Sequence, residues 1–253
     1  ELPAATDYNV ASLSLLGSTI HHKDVIGNIA LERAQTKELS SAARSWPAIR
    51  QLLYLGSDHL LSGRQEFFKQ DMAETFGDIV KWQGISDVIV HPDELSLTQQ
   101  QGITHFLTDT LSLDHQVIDG SWLYSLEHLP AGDGVFLARD ENWQNVFYDQ
   151  KLKQDHAEIK TSAKIYLYNI SRETKVAHLT WQIPGRTEPS LAFVTDARYF
   201  TDWHQEKRVV KLDVVLPAGV TPLTINNTAL TPAIFVNPRM QVLTTQSNEN
   251  TDI

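Results

Sequence analysis

The chain has 253 residues with a formal net charge of −10, 42% apolar and 21% charged residues, an ordinary folded composition with interior enough for one or two domains. That negative balance argues against nucleic acid or an anionic membrane surface as a partner. Cysteine is absent, which excludes disulfides, thiol nucleophiles and thiolate metal sites, and no apolar run approaches the roughly 18–20 residues of a membrane span.

The chain opens ELPAATDYNV with neither an initiating methionine nor a leader pattern, and so reads as a mature product or an excised piece. Asp7–Leu16 supplies a first strand with Val10, Leu13 and Leu15 inward, and residues 17–34 are loop-like. A helix follows around Pro47–Leu55, with Ser45 as its N-cap, Pro47 in its first turn and Gly56 as its stop. From Arg64 to Gln83 the apolar residues Phe68, Met72, Phe76, Ile79 and Val80 recur at helical spacing. Gly84 sits where a left-handed cap costs least. The next run, Ile85 to Val90, is β-branched and apolar on neighbouring positions, as in a central strand covered on both faces. Pro92 ends it. A third helix over Leu97–Leu111, entered at Ser96 or Thr98, buries Ile103, Phe106, Leu107 and Leu111. Gln116–Ile118 and Trp122–Leu126 form a hairpin through Asp119-Gly120. Residues 1–130 are therefore expected to form a small Rossmann-like α/β domain, a helix-covered sheet.

Past Pro130 no helical period remains. Short alternating runs recur at Val135–Ala138, Ala163–Tyr168, Val176–Ile183, Leu191–Thr195, Val209–Leu216, Leu223–Ile225 and Ile234–Val242. Breakers separate them at Pro184-Gly185, Pro217-Ala218-Gly219, Asn226-Asn227 and Asn237-Pro238. The spacing predicts an antiparallel β-sandwich over 131–244, with 245–253 a flexible tail. The overall expectation is a two-part α+β chain.

Among the ten histidines, His21-His22 with Asp24 invites a metal reading. Strand neighbours point to opposite faces, however, and no HExxH or HxH spacing is present, so neither a metal nor a cofactor is expected. His91 closes the proposed central strand and is followed by Asp93 and Glu94. It is either a general base or ligand contact at a strand's carboxyl end, or it caps the next helix or fills a turn. Ser57-Asp58-His59 contains triad residue types in one consecutive run, which triads do not use, and neither GxSxG nor a phosphate-binding glycine motif occurs. Trp143, Trp181, Trp203 and Tyr199 either stack on sugars or fill the core. Asn169-Ile170-Ser171 and Asn226-Asn227-Thr228 match the N-glycosylation pattern.

Several phrases occur in a familiar order. STIHHKDVIGNIALERA (18–34), a helix opening at WPAI, and GISDVIVHPDEL resemble the extracytoplasmic region of bacterial polytopic membrane glycosyltransferases of the dolichyl-phosphate-mannose type. AKIYLYNIS is similar to that family's A-x-L-x-L-x-N-P-S phrase, with Ile170 in place of the proline, and VKLDVVLPAGVTPLTI to its V-x-L-P-P-G-x-x-x-L-x-F phrase. The resemblance implies an extracytoplasmic domain, membrane-anchored through the transmembrane part of the same polypeptide. Its expected partners are a lipid-linked sugar or an acceptor glycan. The family's catalytic carboxylate lies near the membrane-embedded part, so no catalytic residue carries over. His22, Arg33 and His91 match positions of the phrases and, with Asp93, make up the expected ligand-binding set. Two other readings stay open: a free carbohydrate-active hydrolase with an accessory sandwich, and a structural interaction module.

Overall fold

The structure, a computed structural model, describes residues 45–55, 68, 70–140, 142–184, 190–204 and 206–243. The chain divides into two compact units, one of residues 1–61 and 72–131, the other of residues 62–71 and 132–253.

In the first unit, α1 (Pro47–Leu55) buries Ala48, Ile49 and Leu52. It packs against α2 (Met72–Gln83) and α3 (Leu97–Thr104). Gly77 of α2 lies so close to the chain at Pro130 that a Cβ there would fall 1.8 Å from the Pro130 carbonyl oxygen. Gly84, at φ +67°, caps α2, and Ile85 N–H donates back to the Val80 carbonyl at 3.0 Å, closing a Schellman turn. Ser96 caps α3 through a reciprocal capping box: its Oγ accepts from Gln99 N–H at 3.3 Å, and its own N–H donates to Gln99 Oε1 at 2.6 Å. The helix continues as a π-helical stretch over His105–Thr110, and Ile103, Phe106, Leu107 and Leu111 are buried along it.

Among the described residues this unit also has three short strands: β1 (Asp87–Val90), β2 (His115–Ile118) and β3 (Ser121–Ser125). Asp119 at φ 48° and Gly120 at φ 80° turn β2 into β3, the two positive values a two-residue type I′ hairpin requires. Here the expected Rossmann-like α/β sheet is overturned. The sheet order is β1-β3-β2 and both pairings are antiparallel, so no parallel crossover exists among the described residues. Among the described residues β1 is an edge strand, and only Val88 and Val90 on one of its faces are buried. The apolar run serves two structures at once: Ile85 belongs to the Schellman turn, and Ile89 faces the half-exposed side.

The helix expected over Arg64–Gln83 begins only at Met72. Phe68, which falls in register with its stripe, instead enters the core of the second unit.

That unit is two antiparallel sheets face to face. The strands are β4 (Val135–Arg139), β5 (Gln144–Asp149), β6 (Gln154–Ile159), β7 (Ser162–Asn169), β8 (Lys175–Gln182), β9 (Leu191–Val194), β10 (Tyr199–His204), β11 (Val209–Leu216), β12 (Gly219–Asn227) and β13 (Ala233–Leu243). One sheet has the order β10-β11-β8-β13-β6-β5, the other β4-β7-β12-β9. Among the described residues no helix follows Thr110. Strict alternation sets the inner face: Ala177, Leu179 and Trp181 of β8 join Ile165 and Leu167 of β7 and Leu223 and Ile225 of β12 in one cluster. An aromatic chain runs through it, Phe68 edge-on to Trp143, and Trp143 and Trp181 both against Phe235. Gln70 binds the edge strand β4 as another strand would, accepting from Leu137 N–H at 2.8 Å and donating to its carbonyl at 2.9 Å.

Candidate functional site

The expected ligand-binding set is not assembled. His22 and Arg33 lie outside the described residues, as do His21, Asp24 and Ser57-Asp58-His59. His91 follows the edge strand β1, and its Nδ1 is hydrogen-bonded to Ser121 Oγ at 3.0 Å. It stands at the entry to the 3-10 turn Pro92–Glu94 but makes no side-chain cap there. Asp93 and Glu94 are both exposed on that turn, and Gln100 holds the turn against α3 by donating to the Pro92 and Leu95 carbonyls. No hydrogen bond joins His91 to a carboxylate among the described residues. A general base oriented by an acid, as the hydrolase reading needs, is not formed here.

The tryptophans at 143 and 181 are core residues, 4% and 1% exposed. Trp143 donates its indole N–H to the Lys164 carbonyl at 3.1 Å. Trp203 packs against the same core from β10, and the Tyr199 hydroxyl donates to the Phe193 carbonyl at 3.2 Å. Asn169 is equally committed. It is 1% exposed, its Nδ2 donates to the carbonyls of Glu173 and Leu216 at 2.8 and 2.9 Å, and its Oδ1 accepts from Ser171 N–H and Oγ–H. An amide satisfied on every side in this way is a structural clamp, not an acceptor for a glycan.

The polar chemistry of the second unit gathers on the outer face of its six-stranded sheet. His178 of β8 and Asp213 of β11 are directly opposed, and Nδ1 of the one is hydrogen-bonded to Oδ1 of the other. His204 Nε2 lies 2.9 Å from Asp202 Oδ2 on β10. His156 Nε2 lies 3.1 Å from Glu158 Oε1 on β6, and Asn145 Nδ2 donates to Glu158 Oε2 at 2.6 Å. The Phe147 ring stacks on His156 at 4.6 Å. Phe200 stands on the same face, 70% exposed.

Sequence reasoning missed these pairs for a definite reason. His178 and Asp213 are 35 residues apart, and only the strand register brings them together. The other two had a signal, because a histidine and a carboxylate two apart on a strand share a face.

The pKa values of Asp140 and Tyr124 are displaced. Burial pushes the Asp140 carboxyl up, against hydrogen bonds from Lys164 and Asn142 and the nearby Lys164 charge, which pull it down. Burial likewise raises the Tyr124 phenol, opposed by the hydroxyls of Thr104 and Thr108. Among the described residues no three His, Asp or Glu side chains converge as a metal site would require, and no helix is long and apolar enough to cross a membrane. No protein-family model matches the chain, and no curated protein matches it in sequence.

Proposed function

We propose that the chain is an extracytoplasmic domain of a membrane-anchored glycosyltransferase-like protein. It is itself non-catalytic and helps hold a lipid-linked sugar or acceptor glycan for the transmembrane part of the same polypeptide in cell-envelope polysaccharide synthesis. One observation carries this reading. Two of the phrases behind the family resemblance, AKIYLYNIS and VKLDVVLPAG, meet at the Asn169 clamp: the amide of the first donates to the Leu216 carbonyl of the second. Leu216 ends β11 in the six-stranded sheet, and the chain then passes through Pro217 and Gly219, at φ +111°, into β12 of the other sheet. Asn169 therefore pins the corner where the chain changes sheets. Matching phrases that close one buried device support common ancestry better than two scattered likenesses would.

The test is the reading frame upstream of Glu1. A train of hydrophobic spans in frame with this domain is the expected result. An independent start with no such spans overturns the proposal.

A further inference from the structure

We propose that the row Phe200–Asp213–His178–Gln241 on the outer face of the six-stranded sheet is a carbohydrate-binding strip, an assignment that deepens the glycan-handling part of the function proposed above and rests on it. The register builds the row. Phe200 of β10 opposes Asp213 of β11, Asp213 opposes His178 of β8, and His178 opposes Gln241 of β13. Directly opposed residues share a face, and this face is the outer one, because Leu179, Leu212 and Val214 fill the inner. Four strands at the usual spacing make the row about 14 Å long, the reach of a short oligosaccharide.

Each member supplies something a sugar uses. Phe200, at 70% exposure, contributes almost nothing to the core and makes no ring contact among the described residues. A bare phenyl on an edge strand is a pairing and aggregation liability, where proteins ordinarily place charge. An aromatic face presented in this way accepts the C–H side of a pyranose ring. Beside it, the His178–Asp213 hydrogen bond consumes Nδ1 and Oδ1 and fixes both planes. Asp213 Oδ2 and His178 Nε2 are left toward solvent, on side chains 41% and 23% exposed. Gln241 is exposed and ends the row with an amide that both donates and accepts. An apolar ring followed by a carboxylate, an imidazole and an amide in line suits the alternation of C–H faces and hydroxyls along a glycan. In the adjacent row Asp202 opposes Lys211, which opposes Thr180, which opposes Arg239. Both signs of charge occur there, so the strip's neighbourhood favours a neutral sugar chain over a polyanion.

The experiment is an amide-resolved NMR titration of the whole chain with maltotriose, cellotriose and mannotriose at millimolar concentration. The expected result is saturable shifts on β8, β10, β11 and β13 with at least one of the three. Phe200→Ala should weaken that binding about tenfold, and Gln241→Ala about threefold. Phe200→Trp should retain it. Val220→Ala, on the opposite sheet, is the control and should leave it unchanged. Absence of shifts on these strands with all three sugars overturns the strip. So does binding that Phe200→Ala leaves intact, or shifts confined to Phe147 and His156. The two proposals fail separately: saturable binding without upstream spans removes the membrane context alone, and spans without binding remove the strip alone.

Discussion

In the described part of the first unit the strands have four or five residues and are joined by caps and a tight hairpin. In the second, five strands run eight residues or more, among them β8 with the burial alternation of a half-buried sheet along its whole length. The contrast teaches where periodicity is decisive. Over eight residues a period of two repeats often enough to fix which side chains are core. Over four it cannot separate a buried central strand from an edge strand with one wet face, and there the expected and observed architectures of the first unit part.

The sharpest way to test the division is at the segment that defies it. Phe68 is 1% exposed and lies edge-on to Trp143 at 5.6 Å, in the second unit's core. Phe68→Ala should destabilise the sandwich by about 3–5 kcal/mol. Chemical denaturation followed by tryptophan fluorescence measures it. A loss below about 1 kcal/mol would mean that residues 62–71 are an accessory to the sandwich and not part of its interior.

The next largest effect is expected at the corner between the sheets. Asn169→Ala leaves the Leu216 and Glu173 carbonyls and the Ser171 N–H without their partner, a loss of about 2–3 kcal/mol where these groups are buried. Asn169→Asp should be no better, since it removes the donor and buries a charge. Equal stability of wild type and Asn169→Ala in urea would show that water replaces the clamp, and would remove the observation on which the proposed function rests.

These two residues also mark how much can be read from the sequence. The long strands, the helices around 47–55 and 97–111 and the Asp119-Gly120 hairpin are legible because local chemistry decides them. Phe68 is not: its spacing to Met72 and Phe76 is helical, and tertiary packing draws it elsewhere. Asn169 is legible as a strand residue facing inward with Ile165 and Leu167, yet its partner 47 residues away is not. The outer-face row is hidden for the same reason. Which strands are neighbours is a property of topology, and no single strand's pattern contains it.

The smallest expected effect separates the units by pH. Burial raises the Asp140 carboxyl in the second unit and the Tyr124 phenol in the first. In both cases folding disfavours the ionised form. Each group therefore contributes stability that is complete below its unfolded value, about 4 for the aspartate and about 10 for the tyrosine, and that is lost as pH rises through the higher folded value. Asp140→Asn retains an oxygen to accept from the Asn142 N–H, 3.2 Å away in the native pair, but cannot titrate. The stability of wild type relative to this variant should fall as pH climbs from about 4 and level off once the native carboxyl is ionised. Tyr124→Phe should leave that acid limb untouched and flatten only the alkaline one. Urea midpoints across the pH range read both, and a wild type that gains on Asp140→Asn as pH climbs would mean that the hydrogen bonds from Asn142 and Lys164 outweigh burial at Asp140.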